Sequence, residues 1–384
     1  MFVINVLCEM KRIVVASDSF KGSLTSLQVA DAVESGIRKV YPVCEIVKVN
    51  VADGGEGTMD SLHQSLGGTK VKVPVRDPLG RWIDADYLIM DDGVTAVVEM
   101  SRASGLTLVG PSERNPLKTS SFGTGQLVED ALSRGCRKFI VGIGGSATND
   151  GGMGMLAALG VRFTDSDGRE LLPVGENLAR VVDIDLQGMN AALSEADFLL
   201  ACDVDSPFCG PEGAAYVFAP QKGADADVVR MLDEGMRHYA EVLMRVTGRD
   251  IIDVPGSGAA GGLGGAFIAF FNAQFRRGVD LVLDILDFDG ILSGTDLVIT
   301  GEGRMDGQTL TGKTPYGVML RAWKQGVPVV AVAGSVSADA GDIPGFDHIL
   351  SVTPSGMSLS DAMTPSIAMN NISTVIFNLL SNKV

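Results

Sequence analysis

The chain has 384 residues, of which 46% are apolar and 48 are glycine, and its formal net charge at pH 7 is −16. This length is enough for two domains, and this composition is typical of a packed globular protein rather than a disordered or fibrous one. Because the chain is acidic, has no basic cluster and has no apolar run near the roughly 20 residues of a membrane span, we predict neither a nucleic-acid partner nor a membrane partner.

The cysteines are odd in number, scattered, and without a CxxC pair, so they predict neither a disulfide framework nor a zinc site. They are Cys8, Cys44, Cys136, Cys202 and Cys209. The first ten residues lack the basic start and the small-residue cleavage site of a signal peptide. The sequence therefore predicts an enzyme of the reducing cytoplasm that acts on small molecules.

Two strand, loop and helix units open the chain, with strands predicted at residues 12–16 and 44–51. Each strand ends in a polar loop: the first carries Asp18 and Lys21, and the second carries Asp53. Open α/β sheets bind their ligands at the carboxyl ends of parallel strands. These three side chains are therefore predicted to belong to a catalytic site.

The pattern changes after residue 67. Alternating or β-branched runs at residues 70–75, 83–90 and 94–100 are joined by turns and predict a meander of antiparallel strands. We therefore predict a domain boundary at Gly67 and Gly68.

The central feature of the sequence is a stretch rich in glycine and small polar residues, residues 144–152, which we call the glycine loop. It follows a short buried strand that begins at Lys138 and precedes a helix that begins at Met153. Such a turn directs backbone N–H groups inward and faces the positive end of a helix, as a phosphate-binding loop requires. The residues predicted to contact a nucleotide here are Gly144, Gly145, Ser146, Thr148 and Asn149. The neighbouring Asp150 is predicted to bind a metal ion, and the alternative for the whole stretch is a tight structural turn.

The next segments continue this second domain. A strand at residues 198–202 ends at Asp203, a further catalytic candidate, and a long helix is predicted at residues 225–247. A second glycine-rich segment, residues 256–262, precedes an apolar helix predicted at residues 263–275.

This second segment also satisfies the G-x-G-x-x-G pattern of dinucleotide-binding proteins, with residues 251–254 as its possible strand. Gly258 and Gly261 are accordingly predicted to contact a nucleotide. Pro255 interrupts the pattern, however, and glycines that allow helices to pack closely are the commoner explanation. A nicotinamide-dependent oxidoreductase of a small hydroxy acid therefore remains the alternative function.

Strands and helices alternate again after Asp289, with strands predicted at residues 296–300, 328–333 and 348–353 and a helix at residues 315–325. The economical arrangement is an α/β fold of two domains. Residues 1–67 and 289–384 form a Rossmann-like or flavodoxin-like parallel-sheet domain, and residues 68–288 form an inserted mixed α/β domain. Two such lobes predict an active site in the cleft between them.

The loop after the first of these strands supplies Glu302 as a metal-ligand candidate and Arg304 as a catalytic candidate. Residues 307–314 also satisfy the G-x-x-x-x-G-K-T pattern of a P-loop, but the predicted strand ends six residues earlier, whereas a P-loop follows its strand directly. The P-loop interpretation is therefore not favoured. Lys313 remains a candidate for contact with phosphate.

Six motifs, taken together and in order, resemble the bacterial glycerate kinase family from Met10 to the C-terminus. They are Asp18-Ser-Phe-Lys-Gly-Ser, Val51-Ala-Asp-Gly-Gly-Glu-Gly-Thr, Gly144-Gly-Ser-Ala-Thr-Asn-Asp-Gly-Gly, Ala201-Cys-Asp-Val-Asp, Gly258-Ala-Ala-Gly-Gly-Leu-Gly and Thr300-Gly-Glu-Gly-Arg-Met-Asp-Gly-Gln-Thr. The resemblance implies a two-domain α/β fold with an inserted domain. It also implies ATP-dependent phosphorylation of D-glycerate, with 2-phosphoglycerate favoured over 3-phosphoglycerate. The sequence leaves open whether the enzyme is a monomer or a homodimer.

Phosphoryl transfer requires Mg²⁺ on the phosphates, a cation on the transferred group, and a base for the attacking hydroxyl. The carboxylates and cations named above can meet these needs, although the sequence leaves open which carboxylate is the base and which bind metal. For each of them the alternative is a loop cap or a structural ion pair. A binding protein for phosphate-bearing ligands without catalysis is the third class of function that the sequence leaves open.

Overall fold

The computed structural model describes residues 10–271, 273–307, 309, 312–337 and 343–381, and the statements below refer to these residues. The strands are β1 (Arg12–Ser17), β2 (Glu45–Asn50), β3 (Thr69–Arg76), β4 (Trp82–Ile89), β5 (Thr95–Glu99), β6 (Lys138–Gly142), β7 (Arg162–Thr164), β8 (Asp183–Asp185), β9 (Asp197–Ala201), β10 (Gln274–Arg276), β11 (Leu297–Met305), β12 (Val329–Val336) and β13 (His348–Ser351).

The α-helices are α1 (Ser26–Arg38), α2 (Thr58–Leu66), α3 (Ser101–Ser104), α4 (Phe122–Ser133), α5 (Met153–Ala158), α6 (Ala214–Phe218), α7 (Ala226–Thr247), α8 (Ala259–Phe271), α9 (Gly278–Ile285), α10 (Phe288–Ile291), α11 (Thr314–Lys324), α12 (Leu359–Ala362) and α13 (Pro365–Leu380). Short 3₁₀ helices cover Leu106–Leu108, Pro111–Glu113, Gly175–Arg180, Ala191–Glu195 and Pro220–Lys222.

The chain divides into two compact units. The first, which we call the terminal unit, comprises Met1–Asp53, Asp60–Ser65 and Val279–Val384, and the second, the inserted unit, comprises Gly54–Met59 and Leu66–Gly278. The sequence predicted domain crossings at residues 67–68 and 288–289. In the structure the terminal unit resumes ten residues before the second of these, at Val279.

The terminal unit is built on a parallel sheet with the strand order β13-β12-β11-β1-β2. Counted within this unit alone, the order is that of flavodoxin-like sheets, in which the direction of winding changes between two neighbouring strands, here β1 and β11. Helices α1 and α13 pack on each other, and α11 packs on β11 and β12. The contact of α1 with α13 requires Gly36, because a Cβ atom there would lie 2.7 Å from Ile376 Cβ. The predicted parallel-sheet fold is confirmed.

Strand β11 is longer than the sequence predicted. It pairs with β12 as far as the partners Met305 and Val336, so the glycine-rich segment after Thr300 is a strand and not a loop. The glycines fit the strand because the backbones approach closely: a Cβ atom at Gly301 would lie 2.3 Å from the Val332 carbonyl oxygen. Glu302 and Arg304 are therefore held on a strand.

The inserted unit is built on a mixed sheet with the strand order β10-β9-β6-β5-β4-β3. The pairs β3 with β4 and β4 with β5 are antiparallel, which confirms the predicted meander, and the remaining pairs are parallel. Its core contains large apolar side chains that are fully buried, among them Tyr87, Phe139, Phe163 and Phe267. Strands β7 and β8, which form a separate antiparallel pair, were not predicted.

The predicted bounds of helix α7, residues 225–247, are confirmed to within one residue, since the helix spans Ala226–Thr247. The Asp225 side chain accepts hydrogen bonds from the backbone N–H groups of Asp227 and Val228, which caps the start of the helix. Gly248 ends the helix in the left-handed conformation, with φ of 73°, as glycine does most readily.

The apolar segment after residue 256 departs from its prediction. A single helix was predicted at residues 263–275, but α8 begins earlier, is broken by positive φ angles at Ala260, Gly261 and Gly262, and ends at Phe271. Phe275 instead lies on β10, opposite Leu200 of β9. The edge of a sheet offers unpaired backbone groups, so this pairing overrides the helical pattern of the sequence.

Residues 251–254 form no strand, so the second glycine-rich segment lacks the strand that a dinucleotide-binding motif requires. Each of the four cysteines that the structure describes is a free thiol. Among the described residues we find no helix that is long and apolar enough to span a bilayer.

Candidate active site

A cavity of about 660 Å³ opens in the terminal unit, and we call it the strand-end cavity. The predicted site residues that line it are Asp18, Lys21, Asp53, Glu302, Arg304 and Lys313. They come from the loops after β1 and β2, from β11 itself, and from the residue before α11. A parallel sheet has a crevice where its winding changes direction, and the cavity includes the ends of β1 and β11, between which that change occurs.

Asp18 directly follows β1 and is tied to β11, because its backbone N–H donates to the Gly301 carbonyl at 3.0 Å. Its Oδ1 accepts a hydrogen bond from the Ser19 N–H at 2.6 Å. Burial and, to a smaller extent, the negative charge of Asp53 raise the pKa of Asp18 to about 6, a net value that already includes the lowering by Ser19 and Lys21. Asp18 is thus ionised at neutral pH yet more basic than an ordinary aspartate, as a proton acceptor should be.

Lys21 and Asp53 form an ion pair, with 3.9 Å between Lys21 Nζ and Asp53 Oδ2. The Lys21 side chain is 77% exposed, so little holds it in one place. An exposed pair of this length contributes little to stability. The ammonium group can therefore turn toward an anionic substrate at small energetic cost.

Glu302 and Lys313 line one wall of the strand-end cavity and form a charged cluster with the adjacent Asp306. Lys313 Nζ lies 3.6 Å from Glu302 Oε2 and 3.6 Å from Asp306 Oδ1, and Thr309 donates a hydrogen bond to Glu302 Oε1 at 2.7 Å. Burial raises the pKa of Glu302, which the Thr309 and Lys313 contacts partly offset. The negative charge of Asp18 also raises the Glu302 pKa, so these two carboxylates interact electrostatically.

Arg304 is the most exposed cation of this wall. Its Nε lies 3.4 Å from Asp306 Oδ2, and 70% of the side chain is exposed. A guanidinium group can bind a carboxylate or a phosphate through two parallel hydrogen bonds. Arg304 is therefore well placed to bind a small anionic substrate.

The carboxylates of this cavity fit a magnesium ion better than a transition metal. Among the described residues no group of three or more His, Cys, Asp and Glu side chains is arranged to hold a metal. Mg²⁺ in kinases is usually bound by one or two carboxylates together with water and substrate phosphates. Asp18, Asp53 and Glu302 line one cavity and could supply such a carboxylate set.

The glycine loop lies in the inserted unit, between β6 and α5, and has an exposed edge and a buried base. Gly144 and Gly145 are exposed and Ser146 is 7% exposed, whereas Thr148 and Asn149 are fully buried. Gly145 has a φ of 74°, a conformation that glycine adopts without strain. A ligand can therefore contact the loop directly at Gly144, Gly145 and Ser146, but not at the buried Thr148 and Asn149.

Asp150 is fully buried at the base of the glycine loop. Its Oδ2 accepts hydrogen bonds from the Ser121 N–H at 2.7 Å, the Ser121 hydroxyl at 2.8 Å and the Gly154 N–H at 3.1 Å, and its Oδ1 accepts from the Gly152 N–H at 3.1 Å. Burial raises the pKa of Asp150 and these hydrogen bonds lower it. Both oxygens bind protein donors, so the geometry favours a structural role over the predicted metal-binding role.

Gly258 and Gly261 are also buried and face protein atoms. A Cβ atom at Gly261 would lie 2.0 Å from the Thr148 carbonyl oxygen, and one at Gly258 would lie 2.0 Å from the Pro207 carbonyl oxygen. The Gly261 carbonyl also accepts a hydrogen bond from the Gly151 N–H at 3.0 Å. The geometry favours the packing alternative, in which Gly261 packs against the glycine loop and Gly258 packs against Pro207.

Asp203 is exposed at the end of β9 in the inserted unit, where the sequence placed it. Its Oδ1 accepts a hydrogen bond from the Gly278 N–H at 2.9 Å. This contact fixes the carboxylate at the end of the strand while leaving it accessible to solvent.

Lys222 is a residue that the sequence did not single out. It is 1% exposed, and its Nζ donates to the Ser146 hydroxyl and to the Thr148 carbonyl, both at 2.7 Å. Burial, partly offset by the negative charge of Asp150, lowers the pKa of Lys222 to about 7. A lysine in a turn is normally solvated, so no sequence signal distinguishes this one.

A cavity with charged side chains of both signs, at the winding change of a parallel sheet, is the arrangement of an α/β enzyme that acts on a small anionic molecule. The model of the glycerate kinase family matches residues 13–381. This chain belongs to the glycerate kinase family, and it is therefore an enzyme of the kinase class. The resemblance seen in the six motifs is confirmed.

Individual relatives agree with this assignment. The chain is 46% identical over 353 residues to "Glycerate kinase" of Bacillus subtilis (strain 168), which covers 91% of this chain and 92% of the relative. It is 43% identical over 353 residues to "Glycerate 2-kinase" of Escherichia coli (strain K12), which covers 91% and 93%. A crystal structure of a protein assigned as glycerate kinase 2 from Salmonella typhimurium LT2 superposes with a TM-score of 0.88 at 43% identity, covering 97% of this chain and 98% of that one.

Proposed function

We propose that this enzyme transfers the γ-phosphoryl group of Mg²⁺-bound ATP to a hydroxyl group of D-glycerate, with 2-phosphoglycerate as the product. The observation that carries the proposal is the collection of three carboxylates and three cations around the strand-end cavity. Membership of the glycerate kinase family supports the substrate. The name "Glycerate 2-kinase" of the Escherichia coli relative supports the position of transfer.

In this proposal Lys21 and Arg304 bind the carboxylate of glycerate and the transferred phosphoryl group. Both side chains are long, mostly exposed and cationic, so they can move to an anion that enters the cavity. Each would exchange a weak ion pair with Asp53 or Asp306 for a charge-assisted hydrogen bond to substrate. Binding and orientation of the reacting groups is the largest task of the protein in phosphoryl transfer.

Asp18 accepts the proton of the attacking hydroxyl group. Its raised pKa, about 6, makes the carboxylate a stronger base than a solvated aspartate while leaving it ionised at neutral pH. Its hydrogen bond from Ser19 and its backbone link to Gly301 fix its position. Asp53 and Glu302 are the proposed magnesium ligands, and the metal, when bound, would neutralise charge on the phosphates.

In the terminal unit, Lys313 is proposed to contact a phosphate group. In the inserted unit, nucleotide phosphate is proposed to bind at the exposed Gly144 and Gly145 and the adjoining Ser146, which is 7% exposed. Lys313 directly precedes α11, whose N-terminal end favours negative charge. Its Nζ is held by Glu302 and Asp306 and is 32% exposed as a side chain, so a phosphate can reach it.

A coupled assay tests the proposal. We expect ATP consumption that requires both D-glycerate and Mg²⁺. The ³¹P NMR signal of the product should match that of 2-phosphoglycerate rather than that of 3-phosphoglycerate. A change in nicotinamide absorbance without ATP consumption would instead support the oxidoreductase alternative. Stabilisation of the protein by ATP without turnover would support a binding protein.

A further inference from the structure

We propose that Lys222 is a positioning residue for the nucleotide: from beneath the glycine loop, it orients the Ser146 hydroxyl toward a phosphate group of ATP and adds a positive charge behind that phosphate. This inference rests on the proposed function, since it concerns the same phosphate-binding edge. Lys222 lies in the short helix Pro220–Lys222, and its side chain reaches the base of the loop.

The hydrogen bonds fix the direction in which Ser146 can donate. An ammonium group has three donors and no acceptor, so the Ser146 oxygen must accept from Lys222 Nζ in their 2.7 Å contact. The hydroxyl proton of Ser146 must then point away from Lys222. Because Ser146 is the residue at which the exposed edge meets the buried base, that direction includes the exposed side, where Gly144 and Gly145 lie.

The second hydrogen bond of Lys222 fixes the backbone of the loop. Its donation to the Thr148 carbonyl at 2.7 Å engages a carbonyl oxygen that the close packing of Gly261 also confines. A carbonyl held inward cannot turn toward a bound phosphate, where it would repel the anion. The loop is thereby preorganised to present donors rather than acceptors.

The charge of Lys222 acts over a short distance through protein rather than water. A phosphate oxygen bound by Ser146 would lie about 5 Å from Lys222 Nζ, since two successive hydrogen bonds of about 2.7 Å separate them. Burial makes such a charge more effective than a solvated one at the same distance. Lys222 interacts electrostatically with the ionisable group of Asp150. The buried hydroxyl group of Tyr239 interacts with the same carboxylate.

The same burial predicts how nucleotide binding depends on pH. The Lys222 pKa is lowered to about 7 by burial, even though the negative charge of Asp150 raises it in part. A phosphate on the loop favours the protonated ammonium, so the affinity for ATP should fall as the pH rises through that value. A purely structural lysine would not link ATP affinity to pH in this way.

The test compares MgATP binding by calorimetry for the wild type, Lys222→Met and Ser146→Ala, each at pH values from 6 to 9 without glycerate. We expect the wild-type Kd to rise with pH, and Lys222→Met to raise the Kd about tenfold at pH 6 and to remove its pH dependence. The matched control is Lys138→Met, which removes an exposed lysine at the start of β6 and should leave the Kd unchanged.

Ser146→Ala keeps the test decisive if Lys222→Met does not fold, because it removes no buried charge. We expect it to raise the Kd for MgATP severalfold while the KM for glycerate stays within twofold. A wild-type Kd for MgATP in Ser146→Ala, or in a folded Lys222→Met, would overturn the inference. Failure of the proposed function would give a different result: the wild-type protein would bind MgATP but would not phosphorylate glycerate.

Discussion

Lys21 Nζ lies 3.9 Å from Asp53 Oδ2, which joins the loops after the neighbouring parallel strands β1 and β2. Asp18 therefore interacts electrostatically with one negative and one positive side chain. Asp53 raises the pKa of Asp18 and Lys21 lowers it, both by less than burial raises it. The proton affinity of the proposed base therefore depends on two neighbours that can each be replaced.

The first prediction concerns the pH profile of the reaction. If Asp18 must be ionised to accept a proton, kcat/KM for glycerate at saturating MgATP should rise with pH, with a midpoint at about 6. Asp18→Asn should lower kcat by about 10² to 10⁴ and remove this acid limb. Steady-state kinetics between pH 5 and 8 measure both effects.

Asp31→Asn is the control for this variant, because Asp31 is an aspartate of the same unit that pairs with Lys48 outside the strand-end cavity. Its kinetics should match those of the wild type. An Asp18→Asn enzyme that retains both its turnover and its acid limb would assign the base to another group.

The second prediction concerns Asp53 and its influence on Asp18. Removal of a nearby negative charge makes it easier to ionise Asp18, so Asp53→Asn should move the midpoint of the acid limb to a pH below that of the wild type. The shift can be measured in the residual activity even if loss of a magnesium ligand lowers kcat. An unchanged midpoint would mean that the acid limb reports a group other than Asp18.

The third prediction concerns the two exposed cations. Lys21→Met and Arg304→Met should each raise the KM for glycerate or ATP about tenfold or lower kcat by a similar factor, because each removes a charge-assisted hydrogen bond to an anion. Their exposed side chains contribute little to packing, so the melting temperature should change little. Lys324→Met, which alters an exposed lysine in the last turn of α11, is the matched control. Wild-type kinetics in both test variants would place the substrate elsewhere.

The fourth prediction concerns Asp150. Asn at this position would keep one acceptor oxygen and turn an NH₂ group toward the N–H donors of Ser121, Gly152 or Gly154. We therefore expect Asp150→Asn to lower the free energy of unfolding by roughly 1 to 3 kcal/mol, measured by urea denaturation. A stable variant with greatly reduced turnover at saturating Mg²⁺ would instead favour the metal-binding role predicted from the sequence.

The sequence by itself determined the fold class, the order of the elements and the family. Hydrophobic periodicity is local, so the alternation of strands and helices, the antiparallel meander and the length of α7 could be predicted from short windows of sequence. The polar ends of strands also indicated Asp18, Lys21 and Asp53, because carboxyl ends of parallel strands share one edge of a sheet. The structure places these three around one cavity with Glu302, Arg304 and Lys313.

Only the tertiary structure decided which polar residues are accessible. Asp150 and Asp53 occur in similar glycine-rich surroundings, yet Asp150 is buried among backbone donors and Asp53 lines a cavity. Likewise the segment after Thr300, which the sequence predicted to be a loop, is a strand because β11 pairs with β12 there. Burial of Lys222 depends on the loop that folds over it, 74 to 76 residues away in sequence. Burial and strand pairing arise from contacts between distant segments, and no local pattern of residues contains them.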